Sequence, residues 1–224
     1  LSERAAAATA GHWPMSPVQG RAFLASLAAR LSAAGFPATA ADGRAGIQLR
    51  DGATGAALRN LTPRGKSWAT IDTTTVPGIA ARRAGALATL SRRVGNDWLA
   101  LDVRDPTDNS RLAAFQSLNG NWQGLAVEAL TAEGEPALAV MYSRRSDSQV
   151  RVQTRKALTG DIVGNYFLGV RWRAIEMQTL PDLDGNGVGE VATLLRRPSD
   201  GVVQIQVRDA ATGARGVASG SPST

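Results

Sequence analysis

The sequence predicts an all-β fold: a propeller-like array of about four four-stranded antiparallel blades, with the first blade degenerate and open to a partly helical reading. Three observations carry this. The segment Val203-Gln204-Ile205-Gln206-Val207-Arg208-Asp209-Ala210-Ala211-Thr212-Gly213 has worn copies at Ala45–Gly55, Leu99–Asn109 and Val150–Gly160. Arg92-Arg93, Arg144-Arg145 and Arg196-Arg197 recur 52 residues apart, 144−92 and 196−144. Four of the five tryptophans, Trp13, Trp68, Trp122 and Trp172, stand upstream of the arginine pairs. Four antiparallel strands in about fifty residues is the size of a propeller blade.

Each element follows from its residues. In the opening segment alternate positions are mostly apolar and the others carry Gln, Asp or Arg. A period of two is a strand. The Asp or Lys, small residues and Thr-Gly that follow suit a tight turn closed at positive φ. Each arginine pair ends an Ala-Leu-rich strand, Ala86–Leu90, Ala137–Met141 and Val191–Leu195. Lead strands are expected at Ala57–Lys66, Arg111–Gly120 and Asp161–Val170, and a further strand follows each tryptophan. The units then run 1–55, 56–109, 110–160 and 161–213, one repeat domain, with 214–224 a Gly/Ser-rich tail or linker. In the first unit, Leu24–Arg30 matches Leu87–Arg93 as strand. Ser16-Pro17 followed by Phe23, Leu24, Leu27 and Leu31 also reads as a capped helix over 16–35.

Composition narrows the function classes. At 224 residues and 43% hydrophobic content the chain buries a substantial core. It has no cysteine, so disulfides and thiolate metal sites are excluded. No apolar run is long enough for a transmembrane helix. The start, Leu1-Ser2-Glu3-Arg4, reads as processed or excised from something longer.

Unit four differs from the others in its loop, Asp182-Leu183-Asp184-Gly185-Asn186-Gly187-Val188-Gly189-Glu190. Side-chain oxygens fall at Asp182, Asp184, Asn186 and Glu190, with the Val188 carbonyl between them. Calcium takes six to eight oxygens, and the glycines let a short loop wrap an ion. The other reading is a solvated acidic hairpin whose Asp and Asn serve the turn. An EF-hand is excluded, because Thr193 stands where that motif needs a bidentate acid and the flanks read as strands.

Trp172, the strand after it, Asp182-x-Asp184-Gly185-Asn186-Gly187-x-x-Glu190 and the alternating strand with its closing turn together resemble the FG-GAP or VCBS-type repeat of integrin alpha-chain propellers and bacterial surface proteins. The resemblance implies a propeller with one calcium site, with Asp182, Asp184, Asn186 and Glu190 as side-chain ligands and Val188 as a carbonyl ligand. It is specific in unit four and extends to units two and three as strand pattern only. The chain departs from the family in lacking a Phe-Gly pair before the loop, in carrying Glu190 for the usual aspartate, and in lacking the motif in its other loops.

Rotation of blades would place Arg92, Arg93, Arg144, Arg145, Arg196 and Arg197 on one basic face. With a net charge of +6, that face suits an anionic surface, polysaccharide or protein partner. Arg50, Arg104, Arg155 and Arg208 read as scaffold, each paired with a neighbouring carboxylate. An aromatic content of 5% argues against nucleic acid. The only histidine is His12, which leaves almost no material for Ser-His-Asp or histidine-zinc chemistry, and no pair among Asp102, Glu128 and Glu176 stands out. The expectation is a non-catalytic adhesion, binding or scaffold module of an exported bacterial protein, extracellular or on the cell surface. The alternatives are a structural segment of a larger propeller or multidomain surface protein and, third, a carbohydrate-active enzyme domain.

Overall fold

The alternating segments are strands, and so are the Ala-Leu runs and the tryptophan segments. The computed structural model describes residues 47–50, 57–61, 67–79 and 85–216. All but Gly216 belong to one compact unit, Pro37–Arg215; the other, Leu1–Phe36 with Gly216–Thr224, otherwise lies outside the described residues. So do the helix-or-strand alternative for 16–35, Trp13, His12 and most of the tail. In chain order the strands are β1 Ile47–Arg50, β2 Ala57–Leu61, β3 Trp68–Val76, β4 Ala86–Arg93, β5 Leu99–Arg104, β6 Arg111–Leu118, β7 Trp122–Ala132, β8 Glu135–Arg144, β9 Val150–Lys156, β10 Ile162–Gly169, β11 Arg173–Leu180, β12 Glu190–Arg196 and β13 Val203–Asp209. Among the described residues there is no helix.

Every pairing between these strands is antiparallel. Strands β3 to β6 form sheet I, β7 to β10 sheet II and β11 to β13 sheet III, each in sequence order, and β1 pairs with β2. The hydrogen-bonded sheets begin at the tryptophan strands, one strand later than the units 56–109, 110–160 and 161–213. Each lead strand pairs backward: β6 joins β5 and β10 joins β9. Arg215 continues the pattern by bridging to Arg208, as Arg111 pairs with Arg104.

The sheets stack with their cores between them. One cluster holds Ala88, Leu90, Leu99, Leu101 and Val103 of sheet I against Val127, Leu138 and Val140 of sheet II. The next holds Ala139, Met141, Val150 and Val152 of sheet II against Met177, Val191 and Leu195 of sheet III. Strand β8 is therefore covered on both faces, which is why Ala137–Tyr142 reads as a continuous apolar run without alternation, and Leu87, Thr89 and Ser91 on the other face of β4 are buried as well. Strand β7 lies against β3 on one side and β11 on the other. The Asp72 carboxylate Oδ2 accepts the N–H of Val127 at 2.8 Å, and Thr179 Oγ1 donates to the Ala129 carbonyl at 2.6 Å.

A regularity invisible in the repeat alignment sets these first strands. Each has a register shift three residues past its tryptophan, at Ile71, Leu125 and Ile175. A bulge of this kind turns one extra side chain toward a neighbour and increases local twist. Ile71 and Leu125 use it to pack into the two inter-sheet cores.

Candidate metal site and arginine hairpins

The loop between β11 and β12 is held by its own side chains, by the hairpin between β7 and β8 and by Asp209 of β13. Its own carboxylates close it: Asp182 accepts the N–H groups of Gly185 and Gly187 at 2.8 Å each, and Asp184 accepts that of Asn186 at 3.1 Å. The hairpin between β7 and β8 pins its end, with Glu133 N–H donating to the Gly187 carbonyl at 2.7 Å and Gly189 N–H to the Thr131 carbonyl at 2.9 Å. These two bonds flank the bridge between Ala132 and Val188, so the N–H and carbonyl of Val188 point away from that hairpin. Val188 N–H meets Asn186 Oδ1 at 2.8 Å, which places its carbonyl on the loop side.

Within this frame the carboxylates of Asp182, Asp184 and Glu190 converge, each offering an oxygen within 4.8 Å of the others, a group that can hold a metal ion. Asp182 and Asp184 are exposed and Glu190 is buried. Both Glu190 oxygens accept the Leu183 N–H, at 3.1 and 2.9 Å, turning the carboxylate into the loop. Burial, and then the charges of Asp184 and Asp182, push the Glu190 carboxyl up to about 7, against the Leu183 hydrogen bond that lowers it. None of the three acids is in an ion pair among the described residues.

Asn186 is engaged as a brace. Its Nδ2 donates to Asp184 Oδ2 at 3.3 Å and to Asp209 Oδ2 at 2.9 Å, while its Oδ1 takes the Val188 N–H. Asp209 is the residue that sequence reasoning placed only in a turn. It enters the site because it stands opposite Glu190 in the β12–β13 register. Its other oxygen, Oδ1, accepts the Thr212 N–H at 2.6 Å and the Thr212 hydroxyl at 2.5 Å. Burial works against its charge, but the hydrogen bonds from Thr212 and Asn186 hold its carboxyl below the usual range. The signal available in the sequence was the Asp shared by Asp51, Asp105 and Asp209. It marks a cap, and Asp105 caps Thr107 in the same way.

The arginine pairs do not fall in equivalent places. The hairpins are equivalent where a residue gives its N–H to the carbonyl five residues on, and these are Arg93 to Trp98, Arg144 to Gln149 and Arg197 to Val202. Matching the pairs at 52 residues therefore slips by one position, and in a strand one position is the opposite face. Arg144 and Arg197 each form a two-pronged pair with the aspartate three residues on, Asp147 and Asp200. Arg93 has Asn96 at that position. Arg92 and, from the next sheet, Arg145 share Asp97 at 2.8 and 3.2 Å. Arg93 and Arg196 are exposed and have no carboxylate partner among the described residues. Arg144 stands over Trp122 and Arg197 over Trp172 at 5.8 and 5.5 Å from the ring centres. These tryptophans are half-buried and pack against the two inter-sheet cores, while Trp98 is exposed.

The second arginine set is scaffold, anchored on the carbonyls of the closing turns. Arg104, Arg155 and Arg208 each donate Nη1 to the carbonyl five residues on, Asn109 at 2.8 Å and Gly160 and Gly213 at 2.7 Å. These carbonyls belong to the left-handed residues that close the turns, φ +64°, +79° and +71°. The side chain of Arg50 lies outside the described residues. The chain matches no protein-family model and no curated protein. Among the described residues no helix is long and apolar enough to cross a membrane.

Proposed function

We propose that this chain is a non-catalytic binding or scaffold module of an exported bacterial surface protein, a propeller of the FG-GAP or VCBS type stabilised by one calcium ion. The observation that carries the metal is the convergence of Asp182, Asp184 and Glu190 without a cationic partner. Three carboxylates this close repel one another, and a divalent cation relieves the repulsion while accepting the oxygens. In this reading the Val188 carbonyl supplies a further oxygen, Asn186 exchanges the Val188 N–H for the ion, and water completes the shell. Asp209 serves from outside by orienting Asn186.

Contact with an anionic polysaccharide, surface or protein falls in this proposal to Arg93 and Arg196, because the other four arginines of the hairpins already have aspartate partners. The second reading, a segment of a larger array of such sheets, is favoured by the open outer face of sheet III, where Val203 and Ile175 are exposed.

Thermal unfolding with calcium against EDTA tests the metal. The expected result is a higher midpoint in calcium for the natural chain and no difference for Asp184→Ala. At calcium one hundred times its dissociation constant the gain is about 2.7 kcal/mol. Equal midpoints for the natural chain at millimolar calcium would leave the loop an acidic hairpin.

A further inference from the structure

Sheets I and II each turn one apolar face toward the sheet that follows, and sheet III carries the same face uncovered. The hairpin arginines and the bulges fix which positions correspond. Counting from Arg93, Arg144 and Arg197, Leu90 matches Met141 and Leu194, Leu99 matches Val150 and Val203, and Leu101 matches Val152 and Ile205. Leu90, Leu99 and Leu101 are 0%, 0% and 2% exposed in the core beneath sheet II. Met141, Val150 and Val152 are 1%, 1% and 0% exposed beneath sheet III. On sheet III, Val203 is 56% and the bulge residue Ile175 is 51% exposed. Leu194 and Ile205 are half-buried, and none of these four belongs to the core shared with sheet II.

A carboxylate marks the same face independently. Asp72 and Glu176 both follow directly after the bulge. Asp72 Oδ1 accepts the N–H of the next residue, Thr73, at 2.8 Å, and its Oδ2 accepts the Val127 N–H from the first strand of the following sheet at 2.8 Å. Glu176 holds the same posture: Oε1 accepts the N–H of the next residue, Met177, at 3.1 Å, and Oε2 has no partner among the described residues. On sheet I this arrangement receives a neighbouring sheet.

We infer that the outer face of sheet III docks one further sheet of this same repeat, whose first strand gives a backbone N–H to Glu176 Oε2 while its apolar face covers Ile175, Leu194, Val203 and Ile205. The match is close, since Ile71, Leu90, Leu99 and Leu101 of sheet I become Ile175, Leu194, Val203 and Ile205. A second copy of this chain is a poorer occupant. The face that sheet I turns away from sheet II is already buried at Leu87, Thr89 and Ser91, so among the described residues no copy has a free face of the kind that sheet II offers. This inference names the partner required by the second reading above and does not depend on calcium.

The probe is the chain's own sheet II, which already folds on the matching face of sheet I. Second copies of residues 163–171 and then 122–169 are appended after Arg215, the position that bridges as the first residue of a fourth strand does. The chain has no cysteine, so Val203→Cys supplies a single thiol, and its reaction with a maleimide is followed in EDTA. The expected result is labelling at least roughly ten-fold slower in the extended chain than in the unextended one, with Glu176→Ala restoring much of the rate. Val202→Cys, at the hairpin tip, labels fast in both. Equal rates at position 203 overturn the inference, whether the appended sheet folds elsewhere or stays unstructured, because the same sequence folds on sheet I. Slow labelling of the unextended chain that deepens with protein concentration overturns it in favour of a second copy.

Discussion

A side chain added at Gly213 would sit inside the Tyr166 ring: its Cβ would lie 2.4 Å from Cγ, on a backbone at φ +71°. Gly160 repeats the arrangement beneath Phe115, at 2.4 Å and φ +79°. The fifth residue of each fourth strand thus covers the closing turn of the next sheet. The Thr-Gly signature in the sequence reflects this contact as well as the turn. Gly213→Ala is expected to cost about 2–4 kcal/mol, from left-handed strain and overpacking together, measured by urea denaturation. Glu190 gives a prediction of opposite character. Its carboxyl is raised from 4.5 to about 7 on folding, so the folded chain holds more protons across that window. Without metal, stability falls as pH rises through the window and levels above it. Calcium takes the deprotonated carboxylate, so calorimetry should find affinity rising between about pH 5.5 and about pH 8, and little pH dependence in Glu190→Gln. Asp182, Asp184 and Glu190 were legible in the sequence because they lie on one short loop. Asp209 was not, because strand pairing brings it there from nineteen residues further on.

At the scale of the element, the two arginine sets look alike in sequence and do different work. Arg208 is half-buried, stacked 5.9 Å from the Tyr166 ring centre, and its guanidinium satisfies the Gly213 carbonyl. Burial draws its pKa below the usual value, so the group is held by its contacts against a desolvation penalty. Arg208→Ala should lower stability by about 1–2 kcal/mol, since it leaves a turn carbonyl unsatisfied. Arg144→Ala, whose pair with Asp147 lies in solvent, should change the denaturation midpoint far less. The sequence showed the hairpins themselves plainly. It misaligned them by one residue because identical Arg-Arg letters outweighed the geometry, and each first strand carries a bulge that spacing does not reveal. In a structure of period two, that single position decides which face a side chain takes.

For the whole molecule the consequence is a division between covered and open sheet faces. Val203→Asp should leave the denaturation midpoint of this chain nearly unchanged, within about 0.5 kcal/mol as for an exposed site. Leu99→Asp and Val150→Asp, at the matching positions of sheets I and II, bury an unpaired charge between sheets and should prevent folding. Circular dichroism of the three variants separates these outcomes. The sequence by itself determined the strands, their order, the turns between them and the loop that gathers the acids, because each depends on alternation and turn chemistry within a few residues. Only the tertiary structure decided where one sheet ends and the next begins, which arginines are equivalent, that Asp209 joins the loop, and that Glu176 and Ile175 face outward. Those depend on hydrogen-bond register and on which face each sheet meets, and neither is written in the local pattern of any one repeat.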